Sequence, residues 1–292
     1  MKGLAVRPAV RWRHAGIPVI DGHVHVNRFD LLHAGARKVL EGNPTFAAME
    51  RFARDPDAFL AHLDAEGIQQ AWLINYCAPE VMGYGDEVNA WVAEYVQADP
   101  GRLVAVGGWD LRGDGARHAD RLHGLGIRAV KVHTAHQKVR ADDARLHPLF
   151  ARLQDLRMPV IFHTGTSRFP GADEAAADPV PVGAVCARVP NLPVILAHGG
   201  RPHQTGAALA IVEGFDNAWL DLSSCPPHRL RDYFGDLEAL AARTLWGSDW
   251  PGPGVPGMGA NVEAFLRLGL SAAANDAILR GNAERLLDGV AG

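Results

Sequence analysis

Two histidines stand one residue apart in the stretch VIDGHVHV, where His23 and His25 follow an apolar run, an aspartate and a glycine. On a β-strand, residues two apart point to the same side, so both imidazoles can lean towards one point at the strand's end. That geometry suits a metal ion. Two strand histidines are as readily exposed or hydrogen-bonded, so the pair needs company. It comes at equivalent places further along: His163 closes VIFH, His198 closes VILAH and Asp249 closes LWGSD, each a polar residue directly after an apolar run. One such residue would mean little, but four positions at matching strand ends read as a shared site. Neutral imidazole and carboxylate suit zinc, manganese or iron, and three or four protein ligands with an open position make a catalytic rather than a structural site. An ion there lowers the pKa of its water or polarises a carbonyl oxygen, and a nearby carboxylate can move the proton.

Other residues bear on the substrate. Lys131 ends the run AVKV and can hold a substrate anion, and His133, two residues on, faces the same way. His136 and Gln137 are weaker candidates in the following loop. Arg28, Arg168 and Arg201 all lie in loops after strands; a planar guanidinium binds a carboxylate through two hydrogen bonds, so three on one face point to a carboxylated substrate. Phe29, Trp109 and Trp250 are candidate apolar walls. The remaining histidines read as surface or packing residues, with His203, after HGGRP, the exception to watch.

The elements that must position these residues are eight short apolar runs: IPVID, IQQAWLIN, RLVAVGGW, IRAVKVH, MPVIFHTG, LPVILAHGG, NAWLDLSS and RTLWGSD. Helical segments alternate with them, as in DPDAFLAHLDAEG, where Asp55 can cap, Pro56 suits the first turn and Gly67 suits the stop. Near-continuous hydrophobicity implies strands buried on both faces, and eight β–α units make a (β/α)8 TIM barrel the first choice over a doubly wound open sheet. GxGxxG after a strand and GxxxxGK[ST] are both absent, which removes the common nucleotide-binding reasons for an open sheet. The chain shows no internal repeat and no linker, so residues 1–292 read as a single domain. Three long connections follow strands one, five and eight, all on the face where barrels build active sites; the first, about 27–55, is a candidate lid.

Composition narrows the class. The chain has 292 residues, 48% of them hydrophobic, and a net charge of -4 with no basic block, so a nucleic-acid partner is not expected and a small molecule is. Cys77, Cys186 and Cys225 are far apart and in no CxxC pair, which indicates neither a disulfide framework nor a cysteine zinc site. Arginines and a proline interrupt MKGLAVRPAVRWRHAG before it can form a signal-peptide core, and no run approaches a transmembrane length, so the expected location is cytoplasmic, off the membrane.

Taken together, DGHVH, the histidines closing strands five and six, GSDWP and the terminal GNAERLL resemble the amidohydrolase superfamily, and more narrowly its branch related to aminocarboxymuconate-semialdehyde decarboxylase. The resemblance runs from Asp21 to about Leu287 and implies a (β/α)8 barrel. It implies that His23, His25, His163 and Asp249 bind the metal, expected to be one divalent ion and zinc first, with His198 as catalytic acid or base or as a further ligand in a two-metal version. Two-metal members carry a carbamylated lysine at the place of Lys131; many single-metal relatives keep it unmodified. A bridging glutamate used by phosphotriesterase-like and DNase-like branches is missing from IRAVKVHTAHQ. Relatives often dimerise, so a homodimer is admitted. The expectation is a metal-dependent hydrolase of a small carboxylated molecule, in which activated water attacks, Asp249 takes the proton and His198 stabilises the oxyanion. The alternative is non-oxidative decarboxylation of an aromatic or unsaturated acid; hydration or lactone cleavage is also open, and a catalytically silent binding barrel is the remote rival.

Overall fold

The computed structural model describes residues 14–252 and 255–289. The reading of the N-terminal segment thus falls on residues 1–13, outside the described residues, as do Pro253 and Gly254 of the connection after the eighth strand.

All eight apolar runs form strands: β1 (Val19–Val24), β2 (Ile68–Ile74), β3 (Leu103–Gly107), β4 (Ala129–Val132), β5 (Val160–His163), β6 (Val194–Ala197), β7 (Ala218–Asp221) and β8 (Thr244–Leu245). They pair in parallel and in sequence order, β1 beside β2 through to β7 beside β8. The chain beyond β8 then returns to β1: the Gly22 and His25 amides donate to the Trp246 and Trp250 carbonyls at 3.0 and 2.8 Å, and the Asp249 amide donates to the His23 carbonyl at 2.9 Å. A doubly wound sheet would leave β1 and β8 apart, so these bonds decide for a nearly closed (β/α)8 barrel.

Local chemistry makes the elements. The helix Pro56–Glu66 starts where the Asp55 carboxylate accepts from the Ala58 amide at 2.9 Å, and it stops at Gly67, whose φ of 73° is a left-handed cap. Every β5, β6 and β7 residue is buried, as double-sided burial in a parallel barrel requires. Register then sets the level of the site, because His163 pairs with Ala197 and Ala197 with Asp221, which brings the ends of β5, β6 and β7 to one height. At the seam, a Cβ on Gly247 would lie 2.6 Å from that of His23, so only glycine lets the segment after β8 pass so close to the paired histidines. The first long connection carries the helices Ala34–Glu41 and Phe46–Arg54 over the C-terminal end of the barrel, where Val39, Leu40 and Met49 face the cavity below.

Candidate metal centre and active-site cavity

Three imidazoles meet Asp249 with the same hydrogen-bonding logic. Nδ1 of His23 lies 2.6 Å from Oδ2 of Asp221, Nδ1 of His25 lies 3.1 Å from the Ile74 carbonyl, and Nδ1 of His198 lies 3.0 Å from the Ser223 carbonyl. Each of those partners accepts, so each Nδ1 carries the proton and each Nε2 is left bare. Nε2 of His23 is buried without a partner, and Oδ1 of Asp249 lies 3.6 Å from it and 3.2 Å from Nε2 of His25. Acceptors facing acceptors in a dry pocket favour a cation between them, and the buried Lys131 amine already interacts with Asp249 and Asp221. His23, His198 and Asp249 can each offer one donor atom within 4.8 Å of the others, a group that takes in His198 and leaves out the expected ligands His25 and His163. Nε2 of His163 is likewise buried and unpartnered, and its ring lies 4.8 Å from that of His198, centroid to centroid.

Burial shapes the charges. It lowers the pKa of His23, and it drives those of His163 and His198 well below the usual histidine range, so these rings are neutral donors in the form a metal takes. Burial alone would raise the Asp249 carboxyl; the rings of His198, His25 and His23 reverse this and hold it well below the usual carboxylate range. Among the described residues seven other than glycine have a positive φ, and three of them, His198 (67°), Ser224 (57°) and Asp249 (63°), line the cavity. Such backbones cost about 1–3 kcal/mol each, and they cluster where the surroundings must hold a side chain to a task.

The cavity measures about 400 Å³, the size of a small-ligand site. Lys131 lies at its floor with Nζ buried and unpartnered, and burial lowers its pKa to about 8. Arg201 reaches it with a guanidinium bonded only to neutral oxygens, the Ser224 carbonyl at 3.0 Å, the Ser224 hydroxyl at 2.6 Å and the Thr166 carbonyl at 3.2 Å. Arg168 contributes from an exposed position, and His133 lines the wall, stacked on His163 at 4.0 Å.

Several residues are placed differently from the sequence reading. Arg28 is not among the lining residues: its guanidinium binds Asp30 through two bonds of 2.8 and 2.6 Å, so its charge is already met. Phe29 lines the cavity, but Trp250 packs against Phe52 and His62, and Trp109 donates to the Arg112 carbonyl; neither tryptophan forms the wall. His203 is exposed and outside the lining. The sequence reading overlooked Asp221, although WLD carries the same signal of a polar residue ending an apolar run. It also passed over Tyr76 and undervalued His136, both of which line the cavity.

A sequence model of the amidohydrolase family matches residues 20–289. The chain belongs to the amidohydrolase family. It is therefore an enzyme of that family rather than a silent binding barrel. The narrower branch around aminocarboxymuconate-semialdehyde decarboxylase is not singled out by this match. Among solved structures, an uncharacterised TIM-barrel protein from Bordetella bronchiseptica is 24% identical over 93% of this chain and 99% of its own, with a TM-score of 0.74. A putative 2-pyrone-4,6-dicarboxylic acid hydrolase from Pseudomonas putida is 22% identical over 94% and 99%, with a TM-score of 0.63. A 5-carboxyvanillate decarboxylase from Novosphingobium aromaticivorans, complexed with manganese and 4-hydroxy-3-methoxy-5-nitrobenzoic acid, is 15% identical over 94% and 96%, with a TM-score of 0.61. At these identities the likeness shows the barrel fold. No curated protein matches the chain in sequence. No helix among the described residues is long and apolar enough to cross a membrane.

Proposed function

We propose that this amidohydrolase is a metal-dependent hydrolase of a small carboxylated molecule. The observation that carries the reading is the set of bare Nε2 atoms around an ionised, buried Asp249. His23, His25, His163 and Asp249 would hold one divalent ion, zinc in our reading, with His198 close enough to join them. Such an ion supplies Lewis acidity towards water or a carbonyl oxygen. Asp249, held ionised in the cavity, would take the proton of the attacking water. His198, with its Nδ1 proton committed to Ser223, offers a bare Nε2 that accepts a proton. The same commitment argues against its donating to an oxyanion, the part first expected of it; Lys131 and Arg201 are the cations available for that charge and for a substrate carboxylate. In this reading Lys131 remains an unmodified amine, and helices 34–41 and 46–54 act as a lid.

A second reading is non-oxidative decarboxylation in the same cavity, favoured by the likeness to the manganese-holding decarboxylase. One assay separates the two. Metal-loaded protein is offered carboxylated lactones, amides and benzoates. A new carboxylate or amine at one-to-one stoichiometry supports hydrolysis, carbon dioxide release without water uptake supports decarboxylation, and inertness towards the whole panel contradicts both.

A further inference from the structure

Beside the metal centre lies a polar chain that the proposed reaction does not use. The Tyr76 hydroxyl sits 3.0 Å from Nδ1 of His136, and Nε2 of His136 sits 2.8 Å from the Ser167 hydroxyl. All three line the cavity. The His136 ring is clamped flat, stacked on His133 at 3.5 Å and 11° and tilted against Tyr76 at 5.7 Å. Tyr76 is buried at the end of β2, its ring 6.3 Å from that of His25, whereas Ser167 lies half-buried in the loop after β5. The chain thus runs from the loop surface to a point beside the metal ligands.

Counting protons shows what such a chain can do. A neutral imidazole carries one N–H and one lone pair, whereas each hydroxyl both donates and accepts. If Nδ1 holds the proton, it donates to the Tyr76 oxygen; Ser167 donates to Nε2, and the Tyr76 proton is free to face the cavity. If Nε2 holds it, Tyr76 donates to Nδ1 and the free proton is that of Ser167. The tautomer of His136 therefore decides which hydroxyl presents a proton to the cavity. The ring has to stay neutral for this, and its setting favours that form: it is buried, both nitrogens already meet hydroxyls, and it is packed flat between His133 and Tyr76. Burial also pushes the Tyr76 phenol well up, so its hydroxyl keeps its proton until that proton is passed on.

We propose that Tyr76, His136 and Ser167 form a neutral proton relay, in which Tyr76 is a catalytic residue that protonates the leaving atom of the substrate and His136 is a positioning residue that reloads it. The step balances. The Tyr76 O–H bond breaks as the substrate gains the proton, Nδ1 passes its proton to the Tyr76 oxygen, Nε2 takes the Ser167 proton, and Ser167 takes one from water. No electrons leave the substrate and His136 ends in the other tautomer, which exchange of the Ser167 and Tyr76 protons with water resets. The proposal rests on the hydrolytic reading for its substrate, and on geometry alone for the relay.

Two measurements test it. Nitrogen-15 NMR of His136 in metal-loaded protein shows a singly protonated, neutral ring throughout about pH 5 to 8, and in Tyr76→Phe the Nδ1 signal shifts; a doubly protonated ring at pH 6, or no response to Tyr76→Phe, overturns the relay whatever the enzyme acts on. On a substrate that the wild type turns over, Tyr76→Phe lowers kcat about 100-fold with KM nearly unchanged, and abolishes the solvent isotope effect. His136→Gln retains a hydrogen bond to each hydroxyl but cannot change tautomer, so it falls as far as Tyr76→Phe, provided its melting temperature matches the wild type. Wild-type kcat in Tyr76→Phe, or full rescue by His136→Gln, overturns the relay. A wild type inert towards the whole panel instead contradicts the hydrolytic reading, and the NMR result still decides the relay.

Discussion

Two clusters of histidines share one cavity and differ in how their nitrogens are met. Around Asp249, the rings of His23, His25 and His198 spend Nδ1 on an acceptor and leave Nε2 bare. Some ångströms away, both nitrogens of His136 have hydroxyl partners. Bare acceptors around a carboxylate suit a cation placed between them, whereas a fully partnered ring between hydroxyls is complete and can pass protons along. The difference teaches that a count of histidines says little, and the fate of each ring nitrogen says a great deal. It also separates two arginines on the same face: Arg28 is neutralised by Asp30, while Arg201 keeps an unpaired charge over the cavity.

Breaking the Asp249 cluster should have the largest effect. Asp249→Asn removes the charge that the bare imidazoles share, and we expect kcat/KM to drop by 10³-fold or about that much, read in a steady-state assay on any substrate the wild type accepts. Next comes Lys131. Its folded pKa of about 8 lies below the unfolded value of 10.5, so between these two pH values the unfolded chain binds more protons and stability rises with pH. Denaturant titration of the metal-free protein should show wild type gaining about 3 kcal/mol relative to Lys131→Met from pH 8 to 10.5; a flat difference would refute the buried, unpartnered amine. Asp221→Asn sharpens the comparison further, because it loosens the Nδ1 proton that makes Nε2 of His23 bare: metal affinity should weaken about 10- to 100-fold in a competition titration. The smallest effects separate the arginines. Arg201→Ala should raise KM about tenfold for a carboxylated substrate, a loss typical of a charged hydrogen bond, while Arg28→Ala leaves it unchanged. Equal responses would dissolve the distinction drawn from their partners.

Much of this was legible in the chain. Eight near-continuous apolar runs gave eight strands because a parallel barrel buries both faces of each strand, and register brought the polar residues that end the fifth, sixth and seventh runs to one level at the mouth. Asp221 was within reach by the same rule. Tyr76 and His136 were harder, since the loop stretches NYCAP and VHTAHQ carry no periodic signal, and their contact joins residues sixty positions apart that only barrel closure brings together. Arg28 misled for a related reason: a loop arginine's direction is set by whichever carboxylate lies within reach, here one two residues on. Trp109 and Trp250 sit at strand ends as expected, yet their rings turn to the packing between barrel and helices.

The metal ligands proposed here are His23, His25, His163 and Asp249. Elemental analysis of protein purified without added metal, beside the His23→Ala/His25→Ala double variant, tests this assignment most directly. About one zinc, manganese or iron per chain in the wild type, lost in a variant that still folds, is the result predicted here. A wild type free of metal and fully active would contradict it.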